Sequence, residues 1–247
     1  MRAWKDRRAG LRFASARTDS SEFPFEWSRY ERPFIDYPGQ EQLGAAKRAN
    51  QARLSSFLHG VVIEPGEVFS VWKLSGAPDE KHGYARAAAV RNGLLTTEPG
   101  GAICLLSTVL YNAALLAGLA IVERHCHSVD SYGERRYFEL GRDAAIEYGY
   151  LDLRFRNDGG HGVQLRIDVS QDRVEAAIFG QSKKNFDISL DVGPAQPLLP
   201  LPGDRGRYRV QTLLRCESPA GAATEDLGWS IYRVPADGLA IKDGSTA

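Results

Sequence analysis

The segment LLSTVLYNAALLAGLA, residues 105–120, restricts the possible folds of this chain more than any other stretch. Its apolar residues recur at helical spacing and cover most sides of the predicted helix, which begins after Gly100-Gly101 and ends at Gly118. A helix that is apolar on most sides has to be buried. Since several strand patterns follow it, we predict an α+β fold in which this central buried helix packs on a largely antiparallel sheet.

Composition excludes several classes of protein. The chain has 247 residues, of which 43% are hydrophobic and 25% charged, as is typical of a globular protein. Its 31 basic and 31 acidic residues cancel, so no net charge favours a nucleic-acid partner. The longest apolar run, Ala113–Val122, is too short for a membrane span. The first twenty residues lack the apolar core of a secretory signal, so we expect a cytoplasmic protein. The oligomeric state is left open.

The pattern along the chain predicts three parts. Residues 1–39 form an aromatic-rich N-terminal arm that looks irregular and packs on the domain, residues 40–235 form a single domain, and residues 236–247 form a frayed tail. Within the domain, helical spacing covers residues 40–60. Strand patterns flank Pro65-Gly66, an Asn92-Gly93 hairpin follows, and the chain becomes strand-rich from Arg142 onward.

Cys104 is the first candidate for chemistry. The Pro99-Gly100-Gly101 turn lets the backbone bend tightly, and a helix that starts near Ile103 puts Cys104 in its first turn. Free N–H groups and the positive end of the helix dipole favour a thiolate there, as a cysteine nucleophile requires. Alternatively, Cys104 is a small buried core residue, because free cysteine often only packs.

The sequence ERHCHS supplies candidate bases. We predict a strand over LAIVERHCHS, on which His125 and His127 share one face. One of them could then lie within hydrogen-bond reach of Cys104, and Asp143, at the start of the next predicted strand, is the candidate acid that orients it. Two other aspartates are alternatives for that role: Asp130 and Asp152.

The same side chains could instead bind zinc. His125 and His127, with a cysteine or Asp143, offer suitable ligand types. No C-x-x-C or H-E-x-x-H pattern accompanies them, so we predict neither a metal nor another cofactor and keep a metal-binding protein as an alternative.

Four motifs over about residues 50–157 resemble the VanW family. They are PGEVFSVWKLSG, GYARAAAVRNG, GGAICLLSTVLYNAALLAGLAIVERHCHS and GRDAAIEYGYLDLRFRND. The family takes its name from vancomycin-resistance gene clusters, and its longer members are tied to the cell wall. The resemblance therefore implies an association with antibiotic resistance or peptidoglycan, and a peptide or peptidoglycan-precursor-like ligand, without implying a reaction.

The resemblance also ranks the candidate residues. His127 and Ser128 match the family's His-Ser pair, which favours His127 over His125 as the base. Residues 141–143 match its Gly-Arg-Asp, whereas Cys126 stands where many members have proline. The predicted catalytic residues are Cys104, His127 and Asp143. The predicted substrate-binding residues are Gly100, Gly101, His125 and Arg142.

Two differences from the family concern Cys104. Where the family typically reads Gly-Gly-Gly-x-Cys-Gln-x-Ser, this chain has Ala102 for the third glycine and Leu105 for the glutamine. A glutamine beside a nucleophile could help to hold an oxyanion, so its replacement weakens the catalytic hypothesis or leaves backbone N–H groups as the only donors.

A cysteine at the start of an alanine-rich helix, with histidine and aspartate on later strands, is also similar to the arrangement in transglutaminase-like and papain-like cores. We keep three functional hypotheses. The preferred one is an accessory or binding module. The alternative is a cysteine-dependent acyl-transfer enzyme or amide hydrolase, with Cys104 as nucleophile, His127 as base and Asp143 as its orienting acid. The third is the metal-binding protein.

Overall fold

The computed structural model describes residues 6, 10–18, 21–35, 41–91, 94–130, 133 and 136–236. Its helices are α1 (Glu41–Leu58), α2 (Val71–Ser75) and α3 (Cys104–Leu116), with a 3-10 turn at Glu80–His82. The predictions of α1 and α3 are confirmed. Residues 105–115 of α3 are all buried, as its apolar surface requires. In the described ranges no helix carries an apolar stretch long enough to cross a membrane.

Strands outnumber helices. The strands are β1 (Arg12–Phe13), β2 (Phe25–Pro33), β3 (Val62–Ile63), β4 (Glu67–Ser70), β5 (Arg86–Arg91), β6 (Leu94–Pro99), β7 (Ala120–Glu123), β8 (Arg154–Arg156), β9 (Val163–Val169), β10 (Arg173–Gly180), β11 (Asp187–Val192), β12 (Gln196–Pro197), β13 (Asp204–Ser218) and β14 (Gly221–Pro235). The strands β5 and β6 pair as the predicted hairpin, whose Asn92-Gly93 turn lies outside the described residues.

The strands form several sheets. One has the order β1-β4-β8-β7, a second β2-β10-β9-β3, and a third β11-β13-β12 with β14 on the free side of β13; β5 and β6 pair separately. All named pairs are antiparallel except β1–β4. The structure is therefore mixed and sheet-rich, as expected for an α+β protein, but the prediction of a single central helix on one sheet is not supported. A single sheet covers only one side of a helix, whereas α3 contacts β2, β7, β10, β11 and α1.

The N-terminal arm contains the strands β1 and β2, where we predicted irregular structure. Residues 25–33 form β2, which pairs with β10 along its whole length. Their side chains alternate between more and less exposed positions, as in a half-buried strand. The Ser28 hydroxyl also donates to the Ala113 carbonyl of α3 at 2.7 Å. The predicted domain boundaries stay predictions, and residues 36–40 and 237–247 lie outside the described part.

The strands that we predicted over the histidines and over Asp143 do not extend to these residues. β7 stops at Glu123, and residues 124–127 and 143–146 have no regular secondary structure. The reason is that their backbone groups find other partners. The His127 N–H donates to the Asp143 carboxylate at 2.6 Å, and the Ala145 N–H donates to the His125 carbonyl at 2.8 Å. Residues 124–127 and residues 143–146 are therefore two loops that are joined by hydrogen bonds.

Candidate functional site

The turn before α3 sets the position of Cys104, the first residue of that helix. Gly100 and Ala102 have positive φ angles of 72° and 70°, a conformation that favours glycine. The positive φ at position 102 is the physical reason why glycine suits this position better than alanine. At Gly101, a Cβ would lie 2.1 Å from the Ala87 carbonyl oxygen, so only glycine fits between the turn and β5. Gly100 and Gly101, predicted to bind substrate, therefore have structural reasons to be glycine.

A buried glutamine on α1 ties this turn to the helix. Gln51 donates from Nε2 to the Ala102 carbonyl, and its Oε1 accepts from the Leu106 N–H at 3.1 Å. The Leu106 N–H also donates to the Ile103 carbonyl at 3.1 Å, so Gln51 adds a second acceptor in the first turn of the helix. Leu105 is 2% exposed and packs in the core, so its side chain belongs to the scaffold.

The Cys104 side chain is half-buried, with Sγ 3.7 Å from the Ile146 carbonyl oxygen. It packs against the core without being enclosed by it. Cys104 is also one of the groups whose hydrogen bond and charge raise the pKa of His127. The thiol therefore lies at the edge of the core, beside the imidazole.

Asp143 is the acid that partners His127. The Nδ1 atom of His127 lies 2.6 Å from Oδ2 of Asp143, and the side chains are 15% and 0% exposed. The two alternative aspartates have other partners. Asp130 accepts hydrogen bonds from Arg136 and Tyr208, and Asp152 accepts from Ser70 and Arg154.

The second oxygen of Asp143 has two further donors. Oδ1 accepts from Arg124 Nη2 at 2.9 Å and from the Tyr232 hydroxyl at 2.6 Å. Burial alone would raise the pKa of Asp143. The hydrogen bond and charge of His127, together with the Arg124 charge, outweigh burial and hold that pKa below its ordinary value. The carboxylate is therefore charged, buried and fully hydrogen-bonded.

His127 is shifted in the opposite direction. Burial disfavours its charged form and would lower its pKa. This effect is outweighed by the hydrogen bonds and charges of Asp143 and Cys104, which raise the pKa of His127 to about 10. The Tyr137 hydroxyl lies 2.9 Å from Nε2, and the Phe138 ring stacks on the imidazole with centroids 5.1 Å apart. Asp143 is therefore the partner of Nδ1, and the Tyr137 hydroxyl is the partner of Nε2.

Other predicted residues lie elsewhere. His125 is 40% exposed and contacts Glu123 at 3.1 Å. Since β7 ends before it, the prediction that the two histidines share a strand face is wrong. Arg142 donates to Asn112 at 2.8 Å and to Glu139 at 2.7 Å, so it ties its loop to α3. Among the residues that the structure describes, no three His, Cys, Asp or Glu side chains are grouped so as to hold a metal ion.

The sequence analysis missed Arg124, Tyr137 and Tyr232. Tyr137 lies in a loop ten residues after His127, and Tyr232 lies on β14, 89 residues after Asp143. No spacing or periodicity links these tyrosines to Cys104. Only the tertiary structure brings them to the site.

Taken together, the fold and the site define a sheet-rich α+β protein with a cysteine, a histidine and an aspartate gathered beside the start of a buried helix. The family described as VanW like protein matches residues 46–179, so the chain belongs to the VanW family. This match includes Cys104, His127, Tyr137 and Asp143, and excludes β13 and β14.

Two curated proteins are similar over part of their length. The vancomycin B-type resistance protein VanW of Enterococcus faecalis is 34% identical over 140 residues, which cover 56% of this chain and 51% of that protein. The uncharacterized protein YoaR of Bacillus subtilis is 35% identical over 105 residues, covering 42% of this chain and 33% of that protein. The chain thus spans about half or less of these relatives. No solved structure matches it, so the likeness to transglutaminase-like and papain-like cores finds no support.

Proposed function

We propose that this protein is a cysteine-dependent acyl-transfer enzyme or amide hydrolase. The observation that carries the proposal is the placement of His127 between two partners. Its Nδ1 lies 2.6 Å from the buried, charged Asp143, and Cys104 lies near enough to the imidazole to be among the groups that raise the pKa of His127. A nucleophile, a base within reach of it and a third group that orients the base are the parts that thiol acyl transfer needs.

The reaction would proceed in two steps. The Cys104 thiolate attacks the carbonyl carbon of an amide, so that an S–C bond forms and the C–N bond breaks, while the charged His127 gives its Nε2 proton to the departing amine. A water or an acceptor amine then attacks the thioester and gives a proton back to His127. The S–C bond breaks and restores the thiolate, and the acyl group leaves as a new amide or as a carboxylic acid, which then gives its proton to water.

The developing oxyanion would be held by backbone groups. Leu105 occupies the place of the family's glutamine and is buried in the core, so it offers no donor. Cys104 opens a helix, so the positive end of the helix dipole lies beside it and would favour a negative charge there. The Leu105 and Leu106 N–H groups already donate to the Ala102 and Ile103 carbonyls, so the dipole would contribute more than these two donors.

The substrate class comes from the family. The enterococcal relative is named as a vancomycin B-type resistance protein. We therefore propose a peptide amide of peptidoglycan or of its precursors as the substrate. If the protein is cytoplasmic, as the sequence predicts, it would meet precursors rather than the finished wall. The preferred hypothesis from the sequence, an accessory or binding module, requires no reactive cysteine and becomes the competing outcome of the test.

The test compares three cysteines in one chain. Cys104, Cys126 and Cys216 are all free and partly exposed, so each labels with iodoacetamide and can be quantified separately by peptide mass spectrometry. We expect Cys104 to react about tenfold faster than Cys216 at pH 7, because a neighbouring base activates a cysteine nucleophile. We also expect p-nitrophenyl acetate to acetylate Cys104 with a burst of p-nitrophenol, which Cys104→Ser abolishes and Cys216→Ser leaves intact.

Equal labelling of Cys104 and Cys216, with no acetyl adduct on Cys104, would contradict the enzymatic proposal and leave the accessory module as the better hypothesis. A burst that survives in Cys104→Ser would also contradict it, because another nucleophile would then carry the reaction.

A further inference from the structure

We infer that the hairpin of β13 and β14, which lies beyond the residues matched by the family, is part of the site, and that Tyr232 on β14 is a positioning residue for Asp143. The catalytic meaning of this inference rests on the proposed function. The geometric part does not, because it concerns only how the aspartate and the histidine are held.

Tyr232 links two backbone segments through one hydroxyl. The hydroxyl donates to Asp143 Oδ1 at 2.6 Å and accepts from the Gly141 N–H at 2.7 Å. The side chain is completely buried. Burial and the negative charge of Asp143 raise the pKa of Tyr232 above its ordinary value, so the hydroxyl keeps its proton and remains a donor. A buried donor with both of its hydrogen bonds made holds the carboxylate in one orientation.

The same strand also holds the segment that carries His127. The Arg233 N–H donates to the Ser128 carbonyl at 2.9 Å, and the Asp130 N–H donates to the Arg233 carbonyl at 2.8 Å. Two residues before Tyr232 on the strand, Ser230 accepts from Arg124 Nη1 at 2.8 Å. Arg124 is itself a partner of Asp143. β14 therefore holds both loops of the site, which have no regular secondary structure of their own.

A stack of aromatic rings joins the hairpin to the imidazole. Phe138 lies between His127 and Tyr232, with ring centroids 5.1 Å and 6.4 Å away and interplanar angles of 9° and 18°. Tyr208 on β13 continues the stack at 5.4 Å from Tyr232. The side of the imidazole that faces the hairpin is thus packed, which restricts the rotation of the ring.

The test removes the hydroxyl of one tyrosine in that stack and compares the variant with one in which the neighbouring tyrosine loses its hydroxyl. Tyr232→Phe removes the donor to Asp143 and keeps the ring. Tyr208→Phe is the matched control, because its hydroxyl donates to Asp130 instead. We expect Tyr232→Phe to slow the alkylation of Cys104 at pH 7 by roughly tenfold, since displacements of about 1 Å at a catalytic group have effects up to about a hundredfold. Tyr208→Phe should keep the wild-type rate.

A second readout reports the geometry without any chemistry at Cys104. Proton NMR of the intact protein should show a downfield signal from the His127 Nδ1–H that is bonded to Asp143. We expect Tyr232→Phe to broaden this signal or lose it to exchange with water, whereas Tyr208→Phe retains it. If Tyr232→Phe does not fold, Ser230→Ala, which removes the acceptor of Arg124 Nη1 and leaves the other acceptors of Arg124 in place, should weaken the NMR signal and slow the alkylation of Cys104.

The outcomes separate the two proposals. Slow Cys104 alkylation in the wild type, with the NMR signal lost only in Tyr232→Phe, would overturn the enzymatic proposal and support the positioning role. A wild-type signal and alkylation rate in Tyr232→Phe, or equal losses in Tyr232→Phe and Tyr208→Phe, would overturn the positioning role.

Discussion

Asp143 carries an unusual share of the polar interactions of the site. A completely buried carboxylate is costly unless its charge is matched and its oxygens are hydrogen-bonded. Here two donors of His127 converge on one oxygen, and Arg124 and Tyr232 share the other. Removing the charge of Asp143 should therefore change the pKa of His127 more than removing any other hydrogen-bond partner of that histidine.

This leads to a prediction about the titration of His127. Asp143→Asn removes both the charge and the strongest hydrogen bond that favour the imidazolium, so the pKa of His127 should fall well below about 10. Cys104→Ser should lower the pKa of His127 by less, because the hydrogen bond to Cys104 contributes less than the bond to Asp143. NMR titration of the imidazole measures both. His125→Gln is the control, and a larger drop in Cys104→Ser than in Asp143→Asn would contradict the assignment.

At the scale of elements, the start of α3 depends on a close approach of backbone to backbone. Gly101 lies against the Ala87 carbonyl of β5, and Asn50 on α1 holds both segments by donating to the Gly101 and Ala85 carbonyls at 3.0 and 2.9 Å. Since both contacting groups at Gly101 are main chain, neither can move aside without shifting the hairpin or the helix.

Gly101→Ala should therefore destabilise the protein by about 2–4 kcal/mol, as overpacking at a rigid contact does. Gly149→Ala is the matched control. Gly149 has a positive φ of 86° but nothing within 4 Å of an added Cβ, so this change should cost only about 1 kcal/mol. Urea unfolding measures both free energies. Equal losses in the two variants would mean that the contact with Ala87 is not tight.

At the scale of the whole molecule, the site is a place where separate parts of the fold meet. Cys104 belongs to α3, the histidine and aspartate belong to two loops, and the hairpin of β13 and β14 holds those loops from one side. Protonation at the site is thus linked to the stability of the entire fold.

The pH dependence of stability follows from the shifts of His127 and Asp143. The pKa of His127 rises from 6.5 to about 10 on folding, so its contribution is complete below pH 6.5 and is lost as pH rises toward about 10. The pKa of Asp143 is lowered from 3.8, so its contribution is present above that value and is lost as pH falls below it. The contribution of His127 and Asp143 to the free energy of unfolding should therefore be greatest between about pH 4 and 6.5.

The measurement is urea unfolding at pH 6 and pH 9.5. The free energy of unfolding of the wild type should fall over this range by clearly more than that of His127→Gln. His125→Gln, which changes an exposed histidine nearby, should follow the wild type. If the free energy of unfolding falls equally in the wild type and in His127→Gln, another group causes the loss of stability at high pH.

The local pattern of the sequence determined much of the scaffold. Helical periodicity located α1 and α3, and the position of Cys104 at the start of α3 followed from the glycine turn before it. The family resemblance correctly placed the chain, and it selected His127 and Asp143, which the structure brings together. The helical pattern can be recognised in the sequence because a helix is stabilised by residues three and four positions apart and by its ends, which are close together along the chain.

Only the tertiary structure decided how the site is assembled. The strand expected over the histidines ends at Glu123 because the His127 N–H binds a carboxylate sixteen residues away, which no periodicity records. Likewise, β2 joins a sheet through partners about 150 residues later, and Tyr232 reaches Asp143 from the far end of the chain. These contacts depend on which loops and strands the packed core brings together, and that is a property of the whole fold.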